Sequence, residues 1–321
     1  MLERRSVLIG MSSLGLGAAI SLGGCGKADP GSTISFANPS PVWWNAVPLI
    51  AGRRKLYNAE AVTVQSFDVP TGVKSKDAIV DGNAIMGVCS PNAISTTADN
   101  QLQRLRILGS VMQSSSTVAI VSRRPLEELT TLRIGYVQGA ISEFYLIAYL
   151  QKAGLLDNYR EKRLKLTRLT PPVLTTALNK GDVDAIVAWE PFATQGEAAL
   201  RQRSEPVFVI RDDALYTQHI LILARDTADP VASRKVVRAL KRACDEISAN
   251  RNAAAEELEN YFHFPAGYLS KSPVWKKVAF NFVTDSAVIR AALDRDLELA
   301  AIAGIAKATA AAFPTLLSTL S

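Results

Sequence analysis

The chain has 321 residues, of which 48% are hydrophobic and 21% are charged. This composition is that of an ordinary globular protein, and the length is comfortable for two lobes. The formal net charge is +6 and is not concentrated in one segment. The basic residues are scattered along the sequence and lack interleaved aromatic side chains. No basic helix or stacking platform stands out, which argues against a nucleic-acid-binding protein.

The N-terminus carries signals of export. Arg4 and Arg5 precede an apolar run over residues 7–22 that is too short and too rich in glycine for a comfortable membrane span. The run ends in small residues before Cys25, which predicts a secretory signal peptide over residues 1–24. The arginine pair is only a weak twin-arginine signal, so the export route stays open.

The stretch Leu22-Gly23-Gly24-Cys25 resembles a bacterial lipobox. The resemblance implies that Cys25 becomes the lipidated first residue of the mature protein, with residues 25–32 as a tether. The alternative is that the signal peptide is cleaved at another position and that Cys25 is not lipidated. The residues after Cys25 do not decide between the inner and the outer membrane. Cys89 and Cys244 lie far apart in apolar settings, which predicts free buried thiols rather than a disulfide.

Strands alternate with helices along the first part of the chain. Strands are predicted at residues 33–37, 61–67, 84–88, 105–112 and 117–121, with helices at 45–56 and 73–81 and after residue 92. Alternation of this kind predicts a mainly parallel sheet flanked by helices.

The alternation then restarts. Strands are predicted at 132–137, 164–169, 184–188 and 207–210. Helices are predicted at 141–153 and 172–180, and a third helix follows Pro191 and continues through residue 199. A strand at 220–224 returns to the first lobe, and the chain is helical from Asp229 onward. We therefore predict lobe 1 from residues 33–118 and 216–321, and lobe 2 from residues 119–215. The two crossings between them would permit hinge closure.

One stretch combines several signals. Gly181 ends a helical pattern as a C-cap glycine does, and a short buried strand follows. Trp189, Glu190 and Pro191 then stand between the end of that strand and the next helix, where ligands bind in open α/β sheets. The alternative is that Trp189 lies in the core and Glu190 only caps the helix.

Five loops are predicted to meet at one edge, because each follows a strand and precedes a helix start. They are residues 41–44, 71–72, 90–92, 138–143 and 189–191. Helix starts favour anions, and Thr71, Ser90 and Ser142 could add hydroxyl donors. Tryptophans would wall the site, although we expect one of the adjacent Trp43 and Trp44 to lie in the core.

The order and spacing of these segments resemble the substrate-binding proteins of ABC transporters in the taurine, alkanesulfonate, nitrate and thiamine-precursor group. The resemblance covers about residues 33–310. It rests on Pro48-Leu-Ile-Ala51, Ala84-Ile-Met-Gly-Val-Cys-Ser-Pro-Asn-Ala93, Leu132-Arg-Ile-Gly-Tyr-Val-Gln-Gly139, and Lys180-Gly-Asp-Val-Asp-Ala185 running into Trp189-Glu-Pro191.

The resemblance implies a two-lobe, type II periplasmic-binding fold with the ligand between the lobes. The ligand-binding positions that it implies are Trp43 or Trp44, Thr71, Gly72, Ser90, Asn92, Gln138, Ser142, Trp189 and Glu190. The chain departs from the family at residues 138–142, where many members have a turn rich in Gly-Ser or Gly-Thr. A buried carboxylate facing a purely anionic ligand would be costly unless paired or protonated. If Glu190 faces the cleft, a zwitterion or a heterocycle is therefore favoured.

We predict an extracytoplasmic solute-binding subunit of an ABC importer. It would capture a taurine-like or sulfonate solute, a nitrate-like anion or a pyrimidine-type heterocycle and deliver it to a membrane permease with its ATPase. We expect a monomer in the periplasm or at the cell surface, anchored by lipid at Cys25, with no cofactor, metal or catalytic residue.

Two alternatives remain. The first is a sensory or assembly lipoprotein that presents a bound solute to a partner protein. The second, less favoured, is an enzyme. His219 and His263 lie in no recognisable nucleophile or metal spacing, and no spacing supports Glu143 and Glu190 as an acid/base pair.

Overall fold

The computed structural model describes residues 33–40 and 42–319. The predicted signal peptide, Cys25, the tether and Pro41 lie outside the described residues. The strands are β1 (Thr33–Pro39), β2 (Thr63–Val69), β3 (Met86–Cys89), β4 (Leu105–Ser114), β5 (Val118–Ser122), β6 (Arg133–Tyr136), β7 (Lys165–Arg168), β8 (Ala185–Trp189), β9 (Phe208–Ile210) and β10 (Gln218–Arg225).

Helices fill most of the chain between and after the strands. They are α1 (Ala46–Arg53), α2 (Leu56–Ala59), α3 (Gly72–Val80), α4 (Pro91–Ser95), α5 (Asp99–Leu102), α6 (Ile141–Lys152), α7 (Leu156–Arg160), α8 (Pro171–Lys180), α9 (Phe192–Gln202), α10 (Pro230–Ala249), α11 (Arg251–Phe262), α12 (Pro273–Lys277), α13 (Ser286–Ile302) and α14 (Phe313–Leu317). None of these helices has the length and apolar character to cross a bilayer.

The described strands form two five-stranded sheets, which confirms the predicted two-lobe α/β fold. The strand order is β2-β1-β3-β10-β4 in the first sheet and β7-β6-β8-β5-β9 in the second. Strand β10 pairs antiparallel with both of its neighbours, and so does β5. Four strands of each sheet therefore run in one direction, and a single strand runs against them.

The reversed strands are the two that follow a crossing between the sheets. Residues 115–117 lead from β4 to β5, and residues 211–217 lead from β9 to β10. A chain that has just crossed arrives at the edge where the other strands end, so it must run back through its new sheet. Trp189 at the end of β8 accordingly pairs with Val118 at the start of β5. The lobe boundaries at residues 118/119 and 215/216 stay a prediction.

Local sequence signals set the helix ends near this edge. The Thr71 Oγ1 atom caps α3 by accepting a 3.2 Å hydrogen bond from the backbone N–H of Lys74. A Cβ on Gly72 would lie 3.1 Å from the Cα of Cys89, so glycine lets α3 begin close against the end of β3. Gly181 ends α8 at a φ of 80°, in the left-handed region that glycine favours, as predicted.

The C-terminal helices pack on the first sheet and its helices. Contacts join α10 to α1, α13 to α4 and α14 to β4. Cys244 on α10 and Cys89 on β3 are buried free thiols, as predicted, and burial raises the pKa of each to about 12. Both thiols are therefore protonated at neutral pH and serve as small apolar side chains.

Candidate functional site

Two adjoining cavities lie where the strand ends of the two sheets meet. The inner cavity has a volume of about 30 Å³. Its lining residues are Val42, Trp44, Pro70, Thr71, Gly72, Val73, Ser90, Asn92, Ala93, Ala140, Ile141, Trp189 and Gln218. The outer cavity, of about 750 Å³, shares five of these residues and extends to Gln138 and Lys307. Both sheets contribute walls to each cavity.

The structure brings most of the predicted site residues together. The six that line the inner cavity are Trp44, Thr71, Gly72, Ser90, Asn92 and Trp189. Gln138 lines the outer cavity only. Trp43, Ser142 and Glu190 are in neither lining as the described residues form it.

Trp43 and Ser142 have structural contacts instead. Trp43 is 1% exposed, and its ring packs edge-to-face on Trp275 at a centroid distance of 5.5 Å. The Ser142 hydroxyl accepts from the Val137 N–H at 2.9 Å and donates to the Val137 carbonyl at 3.2 Å, which closes the turn before α6. Of the two adjacent tryptophans, Trp44 therefore faces the cleft and Trp43 belongs to the core.

Glu190 is buried, but its carboxylate is held by other partners. Glu190 Oε1 lies 2.6 Å from Arg211 Nη1, and the carboxylate also accepts from the Thr194 hydroxyl at 3.0 Å and the Thr194 N–H at 3.2 Å. Burial raises the pKa of Glu190, against the lowering effects of Arg211 and Thr194. The carboxylate thus stabilises the start of α9 and gives no reason to favour an amine-bearing ligand.

Arg211 joins the two crossings to the loop that follows β8. Its Nη1 atom donates to the Ser116 carbonyl at 3.1 Å, and its Nη2 atom lies 2.6 Å from Glu197 Oε1. Ser116 stands in the first crossing and Arg211 in the second, while Glu190 directly follows Trp189. Sequence reasoning missed this residue, because its partners lie 14 to 95 positions away along the chain.

Hydrogen-bond donors without partners surround the inner cavity. The indole Nε1 atoms of Trp44 and Trp189 are buried and have no partner among the described residues. Helices α3 and α6 begin at the cavity, and the first amides of a helix have no partner within it. The positive end of each helix dipole also points there. Buried donors are costly to leave unpaired, so the cavity fits a solute that carries several acceptors.

Gln218 is a further lining residue that the sequence analysis did not single out. Its Oε1 atom accepts from the Thr117 hydroxyl at 2.6 Å, and its Nε2 atom donates to Ser90 Oγ at 3.3 Å. Gln218 begins β10, which enters the first sheet from a crossing. A polar residue at the start of a returning strand lies at the same edge as the ends of the other strands, and this signal could have found it.

The two cavities differ in charge. No charged side chain lines the inner cavity as the described residues form it. The outer cavity is lined by Lys74, Lys76, Lys307 and Asp77, and Lys76 Nζ lies 2.6 Å from an Asp77 carboxylate oxygen. The outer cavity therefore has an excess of positive charge, and the inner cavity is uncharged and rich in hydrogen-bond donors.

The second crossing is anchored behind Asn92. The Asp296 carboxylate on α13 is fully buried and accepts from the Tyr216 hydroxyl at 2.7 Å and from the Asn92 backbone N–H. The Arg295 guanidinium lies 4.0 Å from the centroid of the Tyr216 ring. Tyr216 belongs to residues 211–217, so the crossing is held against α13 beside the cavity residue Asn92.

Asn92 also makes a direct hydrogen bond between the lobes, from its Nδ2 atom to the Gly139 carbonyl at 3.0 Å. A hydrogen bond contributes about 1 kcal/mol net, so Asn92→Ala should lower the ratio of closed to open molecules about fivefold. A fluorescence distance between labels on the two lobes would measure this. Ser95→Ala is the control, because the Ser95 hydroxyl bonds to Asn92 O within α4. Equal ratios in both variants would contradict the prediction.

His219 follows Gln218 on β10. Because its pKa is lowered in the native state, we predict that stability depends on pH. Burial, with a smaller effect from Arg295, lowers the pKa of His219 to about 4. Between pH 4 and 6.5 the unfolded chain binds this proton and the native chain does not, so acidification destabilises the native state by up to roughly 3 kcal/mol. Denaturant unfolding of His219→Gln should show a smaller loss over that window. His263→Gln, at an exposed histidine, is the control; identical profiles for native protein and His219→Gln would refute the prediction.

The strand order, the two crossings and the cleft between the sheets define the periplasmic binding protein fold. The chain belongs to the NMT1/THI5-like family, which matches residues 45–254. No curated protein matches the sequence.

Several solved structures share the fold. The alkanesulfonate-binding protein SsuA from Xanthomonas axonopodis pv. citri matches with a TM-score of 0.67 at 15% identity, over 85% of this chain and 94% of that one. The aliphatic sulphonate binding protein SsuA from Escherichia coli matches with a TM-score of 0.67 at 17% identity, over 84% and 86%. The ligand-binding component of an ABC-type import system from Staphylococcus aureus matches with a TM-score of 0.68 at 12% identity, over 90% and 99%.

Proposed function

We propose that this chain is the solute-binding subunit of an ABC importer and that its solute binds in the inner cavity. The observation that carries the proposal is a cavity between two lobes in which, among the residues that the structure describes, the buried indole donors have no partner and no charged side chain lines the wall. Such a cavity binds and orients a solute, and the chain then acts without catalysis of its own. The structural relatives that are named as binding or import components support the same function.

The solute that fits best is a small oxyanion with an apolar tail, of the alkanesulfonate type. Indole and helix amide donors suit oxyanion oxygens, and charged acceptors form the stronger hydrogen bonds. No carboxylate from the described part of the chain lines the inner cavity to pair with an amine, so an alkanesulfonate ranks ahead of taurine. Nitrate offers the same oxygens without a tail, and a pyrimidine offers neutral acceptors with a ring that the tryptophans could contact.

Solute entry requires the lobes to move apart. A cavity of about 30 Å³ holds no more than one or two waters, which is less than any of these solutes occupies. The crossings at residues 115–117 and 211–217 are the points where such a hinge motion would take place. Solute binding then stabilises the closed form, which delivers the solute to a membrane permease served by its ATPase.

We further propose that the protein is exported, cleaved before Cys25 and anchored by lipid at that cysteine in the periplasm or at the cell surface. The small residues before Cys25 and the apolar run of residues 7–22 support this placement. Mass spectrometry of the membrane fraction would test it. A mature N-terminus other than lipidated Cys25 would contradict it.

A thermal-shift screen of the chain from Gly26 onward tests the function. The panel contains ethanesulfonate, taurine, nitrate, bicarbonate, pyrimidines and amines. A ligand present at 100 times its dissociation constant should stabilise the protein by about 2.7 kcal/mol. We expect ethanesulfonate to give the largest shift, and small-angle scattering should show a more compact particle with it. A well-folded protein that responds to no member of the panel would count against the proposal.

A further inference from the structure

A third cavity, on the first lobe, is strongly basic. We call it the basic groove; its volume is about 670 Å³. Its charged lining residues are Arg106, Arg225, Asp226, Arg234, Arg238 and Lys241. Five of these side chains are cationic and one is anionic, so the groove has an excess of positive charge.

Most of this charge has no counter-charge. Arg238 pairs with Glu60 at 2.6 Å. Within the part of the chain that the structure describes, the other four cations of the groove have no carboxylate within 4 Å. The Nε atom of Arg225 is also buried without a hydrogen-bond partner there. Cations that outnumber the carboxylates around them repel one another and raise the local concentration of anions.

The groove lies at the end of the first sheet that is opposite the cleft. Strand β10 runs from Gln218 in the inner cavity to Arg225 in the groove, a span of roughly 23 Å for seven residues. A row of hydrogen bonds crosses the sheet there, from Arg225 N to Ile85 O at 2.8 Å and from Ile85 N to Ser35 O at 3.0 Å. Arg225 is therefore two strands from Ser35, about 10 Å away.

We propose that the basic groove docks on a membrane surface rich in anionic phospholipid headgroups. The described chain begins at Thr33, at the same end of the sheet as Arg225. This docking rests on the proposed lipid anchor at Cys25, because the eight residues 25–32 span at most about 28 Å. A lipid on Cys25 would thus keep the groove close to the bilayer, where the uncompensated cations meet headgroup phosphates.

Docking in this orientation has a consequence for the cleft. The inner cavity is at the opposite end of β10, so the solute can enter while the groove contacts the membrane. Each Lys or Arg near an anionic surface strengthens binding about fivefold, and the attraction weakens beyond about 10 Å at 0.1 M salt. The groove supplies four such cations at one place, and the lipid supplies the second contact that stable attachment needs.

Vesicle sedimentation tests the proposal without the lipid anchor. The described residues all belong to one compact unit, so the chain from Gly26 onward is used. We expect it to bind vesicles of 30% phosphatidylglycerol and 70% phosphatidylcholine at low salt, and not vesicles of phosphatidylcholine alone. The double variant Arg234→Glu with Lys241→Glu removes two exposed cations from one face of α10. Its vesicle binding should fall at least about 25-fold, or fivefold per cation.

The matched control is Lys180→Glu with Arg201→Glu, which changes the charge equally at two exposed cations on the second lobe. Binding of this variant should remain within a few-fold of the native value. Equal losses in the two variants, binding to neutral vesicles, or no binding to anionic vesicles would each overturn the proposal. Retention on immobilised heparin without vesicle binding would overturn it in favour of a soluble polyanion. The groove variant should keep the native thermal midpoint and solute response, so failure here is distinguishable from failure of the proposed function.

Discussion

Arg211→Met should lower the free energy of unfolding by about 3–5 kcal/mol, because it leaves the buried Glu190 carboxylate without its cation. Glu190 is 2% exposed and lies 2.6 Å from Arg211. The substitution also removes the hydrogen bond to Ser116 that joins the two crossings. Denaturant unfolding at pH 7 measures the loss. Because the destabilising charge is that of Glu190, adding Glu190→Gln should recover part of it.

The control for Arg211 is an ion pair whose arginine is exposed and whose glutamate keeps a second cationic partner, Arg54. Arg242 pairs with Glu246 at 2.9 Å, and 58% of its side chain is exposed. Exposed pairs contribute only about 0–1 kcal/mol, so Arg242→Met should cost no more than that. Comparable losses at the two positions would show that burial of Glu190 is not the reason for the effect.

Trp189→Ala should raise the dissociation constant for the solute about 30-fold or more, because it removes both a buried aromatic wall and an indole donor. Trp189→Phe keeps most of the ring and removes only the N–H group. A hydrogen bond to a charged acceptor contributes about 1.5–3 kcal/mol and one to a neutral acceptor about 1 kcal/mol. The phenylalanine variant should therefore weaken ethanesulfonate at least about tenfold and a pyrimidine only about fivefold. Titration calorimetry with both compounds measures these losses.

Trp43→Phe is the control for these cleft variants. Trp43 packs on Trp275 in the core and is not part of the cavity lining. Its replacement should reduce stability and leave the dissociation constant within about twofold, since no contact with the solute changes. If Trp43→Phe weakened binding as much as Trp189→Phe, the assignment of the inner cavity as the binding site would be wrong.

Arg211 and Asp296 show how this fold couples its crossings to its cleft. Arg211 joins Ser116, Glu190 and Glu197, and Asp296 joins Tyr216 to the Asn92 amide. Each crossing therefore has a polar contact to a residue adjoining or lining the inner cavity. These buried contacts hold both crossings in place beside the cavity wall, because buried hydrogen-bonded groups have few alternative arrangements.

Much of the fold could be predicted from the sequence because its signals are local. The alternation of apolar strands with helices predicts the two sheets, and Gly181 ends its helix as a residue that tolerates a positive φ. Thr71, Ser90 and Trp189 were predicted to lie at one edge, because strands that run in the same direction end together. The inner cavity does bring these three residues together.

The roles of Trp43, Trp44, Glu190 and Gln218 were decided only by the tertiary structure. Adjacent tryptophans have the same local pattern and both are buried, but Trp43 packs on Trp275, 232 positions later, whereas Trp44 lines the inner cavity. From the sequence, the partner of the Glu190 carboxylate could be a ligand or an arginine. In the structure, the partner is Arg211, which lies in the second crossing. Pairings of this kind depend on how distant segments come together, and no propensity, period or cap within a single segment contains that information.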